Sequence, residues 1–405
     1  MKAPTAAVVF AMPLRGHFNR LQPLIAGLVD AGVSTYVFTD ASFREHVTLA
    51  GAQFVDLFEG RPVDNVDSTT VPWSARYVSF AGRYGDAIVE EVRPLRPGLV
   101  VHDSFAVIGV VVANHLGVPR VNVCAGHNLV PARTIEAVQR DVPVQIADAC
   151  WSAVHTLRER HGMPDASPFS YASGWSRDLN VYCEPPEFLG TEDRKVFEPV
   201  VFFGSLWPSH AQSAVASGFW GAAAPSTLRI YASFGTVVWR YYEREALEAL
   251  HAIADAVSQM SGTRALISFG GAGPMEHASG LAGTNVRVEP YVDQWNVLRE
   301  ASVHITHQGL NSTHEAIFHG VPMISYPFFW DQPVLAKRCE ELGLSVPLVG
   351  APRTRIDASH VRTALNRVAS DREGMIARLG EARRWELETI RARKSVIERI
   401  VSLMP

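Results

Sequence analysis

Two places in the sequence carry groups that can do chemistry. His17 stands in Pro13-Leu14-Arg15-Gly16-His17, directly after the apolar run Ala6–Met12. An imidazole with an unperturbed pKa of ~6.5 suits general-base work near neutrality. Asp103 closes a second apolar run, Leu99–His102. A carboxylate there is a natural partner to orient an imidazole and balance its charge. Each residue has a plainer reading: His17 as a cap for the helix after it, and Asp103 as the N-cap of a helix beginning at Ser104 or Phe105. The second place is His307-Gln308-Gly309-Leu310-Asn311-Ser312, between an apolar run and a short helix. Free N–H groups and the positive dipole end at such a helix start suit an anion such as phosphate. Ser312 and Glu315 also have capping-box spacing. Capping and anion binding can coexist, because an N-cap side chain takes only one of several free donors.

Other signatures fail. Gly271-Ala272-Gly273-Pro274-Met275-Glu276 lacks the third glycine of a dinucleotide fingerprint, which disfavours a nicotinamide cofactor. There is no phosphate-loop motif, no Gly-x-Ser-x-Gly elbow, and no Asp-x-Asp pair to clamp a diphosphate through a divalent ion. His314 and His319 are five residues apart, off the four-residue spacing that places two zinc-binding histidines on one helix face. No metal and no bound cofactor are therefore expected.

The elements that must position these groups follow a strand–helix rhythm. Apolar runs at Ala6–Met12, Val33–Thr39, Leu99–His102, Arg120–Cys124 and Leu179–Cys183 read as strands covered on both faces. A helix is expected from about Phe18 to Ala31, and another ends at Leu116-Gly117 before Pro119. The rhythm breaks in the Ala-, Ser- and Gly-rich stretch between Pro208 and Pro225, then restarts. Strands are expected at Leu228–Ser233, Ala265–Phe269, Val286–Val288, Val303–Thr306 and Met323–Tyr326, with a helix over Glu243–Ser261. From Asp357 the pattern is helical and charge-laced, reading as a solvated helical tail with one apolar stripe. Alternating strands and helices imply parallel sheets in a doubly wound α/β architecture. The expected organisation is a Rossmann-like domain over 1–205, a linker over 206–226, a second Rossmann-like domain over 227–382, and a C-terminal helix over 383–405 free to return to the first domain. Two such domains facing each other place a cleft at the carboxyl ends of both sheets.

Composition excludes several classes. A chain of 405 residues, 47% hydrophobic and 19% charged, is neither disordered nor fibrous. The net charge of −4 provides no global field for nucleic acid. The apolar runs fall short of the roughly 18 residues of a membrane span. The first run continues into Pro13-Leu14-Arg15 in place of a cleavage site, and so reads as a strand rather than a signal peptide. Four scattered cysteines, without a Cys-x-x-Cys pair, fit a reducing, cytoplasmic setting.

The segment from Val288 to Ala336 resembles the donor-binding signature of family-1 glycosyltransferases, the UDP-glycosyltransferase superfamily. Gln294, Thr306, His307, Gly309, Asn311, Ser312, Glu315, Gly320, Val321, Pro322, Asp331 and Gln332 match it in order. Ala232-Ser233-Phe234-Gly235-Thr236 resembles the family's phosphate-facing loop, and Phe203-Gly204 its end of domain one. Gln308 departs from a usual glycine, Asp293 from a usual proline, and Tyr291 from a base-stacking tryptophan. The resemblance implies the GT-B fold, two facing Rossmann-like domains with an interdomain cleft. It also implies inverting, metal-independent transfer of a hexose from a UDP- or dTDP-sugar co-substrate to a small apolar or aromatic natural-product acceptor. By the same resemblance, Tyr291 and Gln294 flank the base and Glu315 holds the ribose. His307, Gly309, Ser312 and the loop of Ser233, Gly235 and Thr236 hold the diphosphate with support from Asn311, while Asp331 and Gln332 bond sugar hydroxyls. A helix N-cap is the plainer reading of Asp331.

In the same frame His17 is the general base and Asp103 its partner. Trp73, Tyr77, Phe80, Phe105 and Trp151 are candidates to line an acceptor slot, with plain core as the bland reading, and His127 and Asn128 lie at the expected cleft end. A monomer or homodimer is expected. The alternatives are a catalytically silent nucleotide-sugar-binding relative or partner protein, which Gln308 and Asp293 keep open, and a sugar-nucleotide epimerase or phosphorylase on the same fold.

Overall fold

The computed structural model describes residues 6–124, 126–206, 218, 220 and 226–405. The expected linker, 206–226, lies almost wholly outside them. The chain divides into two compact units, one of Met1–Trp207 with Glu388–Pro405, the other of Pro208–Leu387.

The first unit is built on a parallel sheet of β1 (Ala6–Phe10), β2 (Thr35–Thr39), β3 (Gln53–Asp56), β4 (Pro97–Asp103), β5 (Arg120–Val123), β6 (Leu179–Tyr182) and β7 (Val200–Phe202). The strand order is β3-β2-β1-β4-β5-β6-β7. Every residue of β1 and β4 is buried, which is why these segments read as unbroken apolar runs. β3 and β7 form the edges, are only partly covered, and have no such run to announce them. Strand order reverses direction between β1 and β4, and Phe10 pairs with His102. The loops leaving these two strands therefore part at the sheet's switch point, where open α/β sheets bind ligands.

Helix α1 (Arg15–Asp30) presents Leu21, Leu24, Ile25 and Leu28, a stripe at helical spacing, to the sheet. It begins three residues before the expected start, so His17 sits in its first turn and not in a loop. The other helices used below are α2 (Arg76–Val92), α3 (Val107–Leu116), α4 (Pro131–Asp141) and α5 (Asp148–Arg160). α3 ends on Gly117 at φ +62°, a left-handed stop that glycine adopts without a Cβ penalty.

The second unit repeats the plan with β8 (Leu228–Ser233), β9 (Thr263–Ser268), β10 (Val286–Glu289), β11 (Val303–Thr306), β12 (Met323–Ser325) and β13 (Ser345–Pro347). Their order is β10-β9-β8-β11-β12-β13, all parallel, with the switch between β8 and β11. Thr306 pairs with Ser233, which brings the Phe234–Thr236 loop and His307–Gly309 out side by side. Its helices include α6 (Glu243–Ser258), α7 (Gln294–Leu298), α8 (Leu310–His319), α9 (Gln332–Glu341) and α10 (Ala358–Ser370). Among the described residues no helix is long and apolar enough to cross a membrane.

The tail differs from a single solvated helix. From Asp357 it comprises α10, then α11 (Arg372–Arg391) and α12 (Arg393–Val401), with a break at Ala392. Within α11, Met375, Leu379, Ala382 and Glu386 are buried, and the Glu386 carboxylate meets His314 Nδ1 of α8. Val396, Ile397 and Ile400 of α12 join the core of the first unit. A Cβ at Gly27 of α1 would lie 2.8 Å from Ile397, so the two helices approach where α1 has no side chain. Arg393 donates to the carbonyls of Phe203 and Leu206 and stacks over Phe203. Charge periodicity alone read this tail as exposed, because a buried face built partly from Ala and Glu carries a weak apolar signal. We predict that Ile397→Ala destabilises the first unit by about 2–4 kcal/mol, read as a lower urea midpoint. An unchanged midpoint would show that α12 does not contribute to that core.

Candidate active site

Each unit carries its own group of candidate residues at the switch point of its sheet. In the first unit His17 Nδ1 lies 2.9 and 3.0 Å from the two carboxylate oxygens of Asp103. An N–H donated there assigns the proton to Nδ1 and leaves Nε2 as the basic nitrogen. Asp103 is 2% exposed, and its Oδ1 also accepts the backbone N–H of Phe105 at 2.9 Å. The capping and orienting readings of Asp103 thus hold together, although the helix itself starts later, at Val107. Burial opposes the charged form of Asp103. The charge and bond of His17, the Phe105 N–H and the Arg20 charge overcome it and hold the carboxyl below its ordinary value. The Phe105 ring packs against the imidazole at 4.4 Å and against Tyr171 at 5.3 Å.

The acceptor candidates divide. Tyr77 and Phe80 on α2 are fully buried, Phe80 between Phe58 and Tyr84 and Tyr77 edge-on to Trp73. They are core supports in this state, not surfaces for a ligand. Trp73 is half-buried and its indole N–H points to Asp64. Trp151, on α5, is half exposed. His127 is buried, with Nδ1 2.7 Å from Glu184 Oε2 and 3.2 Å from the Tyr182 hydroxyl. Asn128, at φ +46°, donates its N–H to that hydroxyl and its amide to Asp193. Glu184 and Tyr182 were not singled out from sequence. Their signal was position, at the carboxyl end of β6, the neighbour of the strand that leads into His127.

In the second unit the His307 ring is seated between two glycines. A Cβ at Gly309 would lie 2.3 Å from His307 Nε2, and one at Gly235 2.8 Å from the ring. Gly235 also needs its φ of +71°, a conformation that favours glycine. Burial lowers the His307 pKa to about 4 against an opposing backbone bond to Ser233, so the ring is neutral at pH 7. Gln294 ties the base and ribose candidates together. Its amide donates to Glu315 Oε2 at 2.7 Å and Ser312 Oγ at 3.1 Å, and its carbonyl accepts from Tyr231 at 3.3 Å. Tyr291, 58% exposed, stands over Gly271.

The capping box expected of Ser312 and Glu315 does not form. α8 starts at Leu310 with Gly309 as N-cap, so Ser312 is the third helical residue and both side chains turn to Gln294. Spacing could not distinguish an in-helix pair from a cap. Gln308, which stands where the family pattern has a glycine, takes a left-handed backbone at φ +62°, and its amide is buried against Thr313, Met323 and Cys339. Asp293 caps α7 through Asn296. Asp331 holds the N-cap position of α9 without a side-chain cap bond. Gln332 is buried, with its carbonyl accepting from Phe328 N at 2.9 Å. Thr236 is exposed, and Asn311 is half-buried in the first turn of α8.

Two parallel α/β units, one with a half-buried histidine on a buried carboxylate and one with a histidine between glycines, have the architecture of the GT-B fold. The family model for UDP-glucoronosyl and UDP-glucosyl transferase matches residues 196–379. The chain is 23% identical over 349 residues to an uncharacterized UDP-glucosyltransferase, YdhE, of Bacillus subtilis, covering 83% of each. It is also 23% identical over 374 residues to the NDP-glycosyltransferase YjiC of the same organism, covering 89% of this chain and 88% of that one. The solved glycotransferase of kitacinnamycin shares the fold over 100% of both chains, at 20% identity and a TM-score of 0.77. The chain is thus similar to the family-1 glycosyltransferases over most of its length, and the family model itself covers 196–379.

Burial raises the Glu315 carboxyl to about 7, the Gln294 bond opposing and the Asp293 charge adding. A folded-state pKa above the ordinary 4.5 gives stability that is complete below 4.5 and lost as pH rises through 7. We predict that Glu315→Gln removes a decline on the order of 1–3 kcal/mol across that window, followed by chemical denaturation at each pH. Parallel profiles for the two proteins would refute it.

Proposed function

We propose that the chain transfers a hexose, with inversion and without a metal, from a UDP- or dTDP-sugar to a small apolar or aromatic natural product, His17 acting as general base. The observation that carries this reading is the approach of both Asp103 oxygens to His17 Nδ1. With that nitrogen donating, Nε2 takes the proton from the acceptor nucleophile as the nucleophile attacks the anomeric carbon. The bond from that carbon to the diphosphate oxygen breaks, and the diphosphate departs with the electron pair. Asp103, already ionised, then balances the imidazolium. One displacement inverts the anomeric centre.

The second unit supplies the donor side. Its neutral His307, the backbone of Gly309 and the first turn of α8 suit a diphosphate, and the exposed ring of Tyr291 suits a stacked base. Solved neighbours support the choice of donor and acceptor. One of 17% identity is titled glycosyltransferase VinC in complex with dTDP. The spinosyn rhamnosyltransferase SpnG, of 18% identity, was solved with thymidine diphosphate and with spinosyn aglycone. The four cysteines are buried and none is in a disulfide, which suits a reducing compartment.

Melting temperatures with UDP, dTDP and GDP at equal concentration test the donor side. A selective rise with UDP or dTDP is expected, and no rise with any of them would transfer the lead to a silent relative. In the base test, His17→Ala should lose about 10²–10⁴-fold in transfer rate while keeping the same nucleotide-induced shift. Retained turnover in that variant would remove His17 from the role, and turnover that requires added Mg²⁺ or Mn²⁺ would remove the metal-free mechanism.

A further inference from the structure

Three helices of the first unit bring a group of metal-competent side chains together. Asp86 comes from α2, His115 from the last turn of α3, and His161 caps the end of α5. One ligand atom from each lies within 4.8 Å of the other two. His115 Nε2 and His161 Nδ1 are 2.8 Å apart. Two imidazolium N–H groups cannot face each other at that distance, so the contact needs a lone pair on at least one nitrogen. The His161 ring is held in place: its Nε2 would be 2.9 Å from a Cβ at Gly85, and Asn114 donates to the carbonyls of His161 and Gly162.

We propose that Asp86, His115 and His161 bind a borderline divalent cation such as Zn²⁺, clipping α2, α3 and α5 together. Two imidazole nitrogens and one carboxylate oxygen are the donor set for Zn²⁺, with water completing a tetrahedron. Hard cations such as Mg²⁺ prefer oxygen ligands alone. At Zn–N bonds of about 2.0–2.1 Å, tetrahedral nitrogens stand ~3.3 Å apart, so the pair opens by about half an ångström. Both rings bind through unprotonated nitrogens, so the proton shared in the His115–His161 contact moves to a ring's other nitrogen or leaves to solvent. Arg160, 2.6 Å from Asp86, is the group to be displaced. Both side chains of that ion pair are more than half exposed, and such pairs are weak. α3 runs back along the sheet from the Asp103 end for about 15 Å, which sets His115 at the opposite end from His17. The cation therefore serves the scaffold and not the transfer chemistry.

The test uses the full chain freed of metal. Zn²⁺ should raise the melting temperature by about 5 °C, Mg²⁺ should not, and the exposed-residue variants His115→Ala and Asp86→Asn should lose the shift. Co²⁺ in place of Zn²⁺ should give visible absorption that His115→Ala abolishes. An equal Zn²⁺ shift in the wild type and His115→Ala, or no Co²⁺ absorption by the wild type, would overturn the site.

Discussion

A carboxylate buried at a strand end keeps its charge only if donors and cations surround it, and Asp103 organises the first unit on that condition. Its oxygens take the Phe105 N–H and the His17 imidazole, and the Arg20 charge from the same helix as His17 adds to them. Meeting the condition ties the end of β4 to the first turn of α1 across the sheet's switch point. It also decides which imidazole nitrogen carries the proton, and so which one is basic. The buried strands beneath, with Phe10 registered against His102, hold that geometry rigid.

The second unit obeys a different constraint at the equivalent place. There close backbone approach, not charge compensation, does the positioning. His307 fits because Gly235 and Gly309 offer no Cβ, and desolvation then keeps the ring neutral. Around it Gln294 gathers Tyr231, Ser312 and Glu315 into one network. Gln308 shows how a departure from the family pattern is absorbed. The backbone there is left-handed, a conformation that glycine adopts freely, and the extra side chain is bonded inward to Thr313.

The parts of the fold legible in the sequence were those where burial is two-sided. β1, β4, β8 and β11 read as apolar runs because both faces are covered, whereas the edge strands β3, β7 and β13 left no such run; the exception is the edge strand β10, read from Val286–Val288 although it is only partly covered. The charged tail misled for the opposite reason, since Glu386 is buried against His314 by a partner far away in sequence. Of the candidate site, His17, Asp103 and the His307–Glu315 segment were recognisable by residue type after a strand. Tyr77 and Phe80 were recognisable only as aromatic, and their burial placed them in the core.

By itself the sequence determined the class of architecture, the glycine positions and the identity of the titratable groups. These depend on local periodicity, on backbone freedom and on chemical type, all of which are properties of neighbouring residues. Tertiary structure alone decided which of two valid roles a residue takes. Ser312 and Glu315 have the spacing of a cap, but α8 begins a turn earlier and Gln294 claims both. Asp86, His115 and His161 carry no motif, yet the packing of helices distant in sequence sets them together. Contacts between distant segments depend on how elements pack, and no local pattern encodes that.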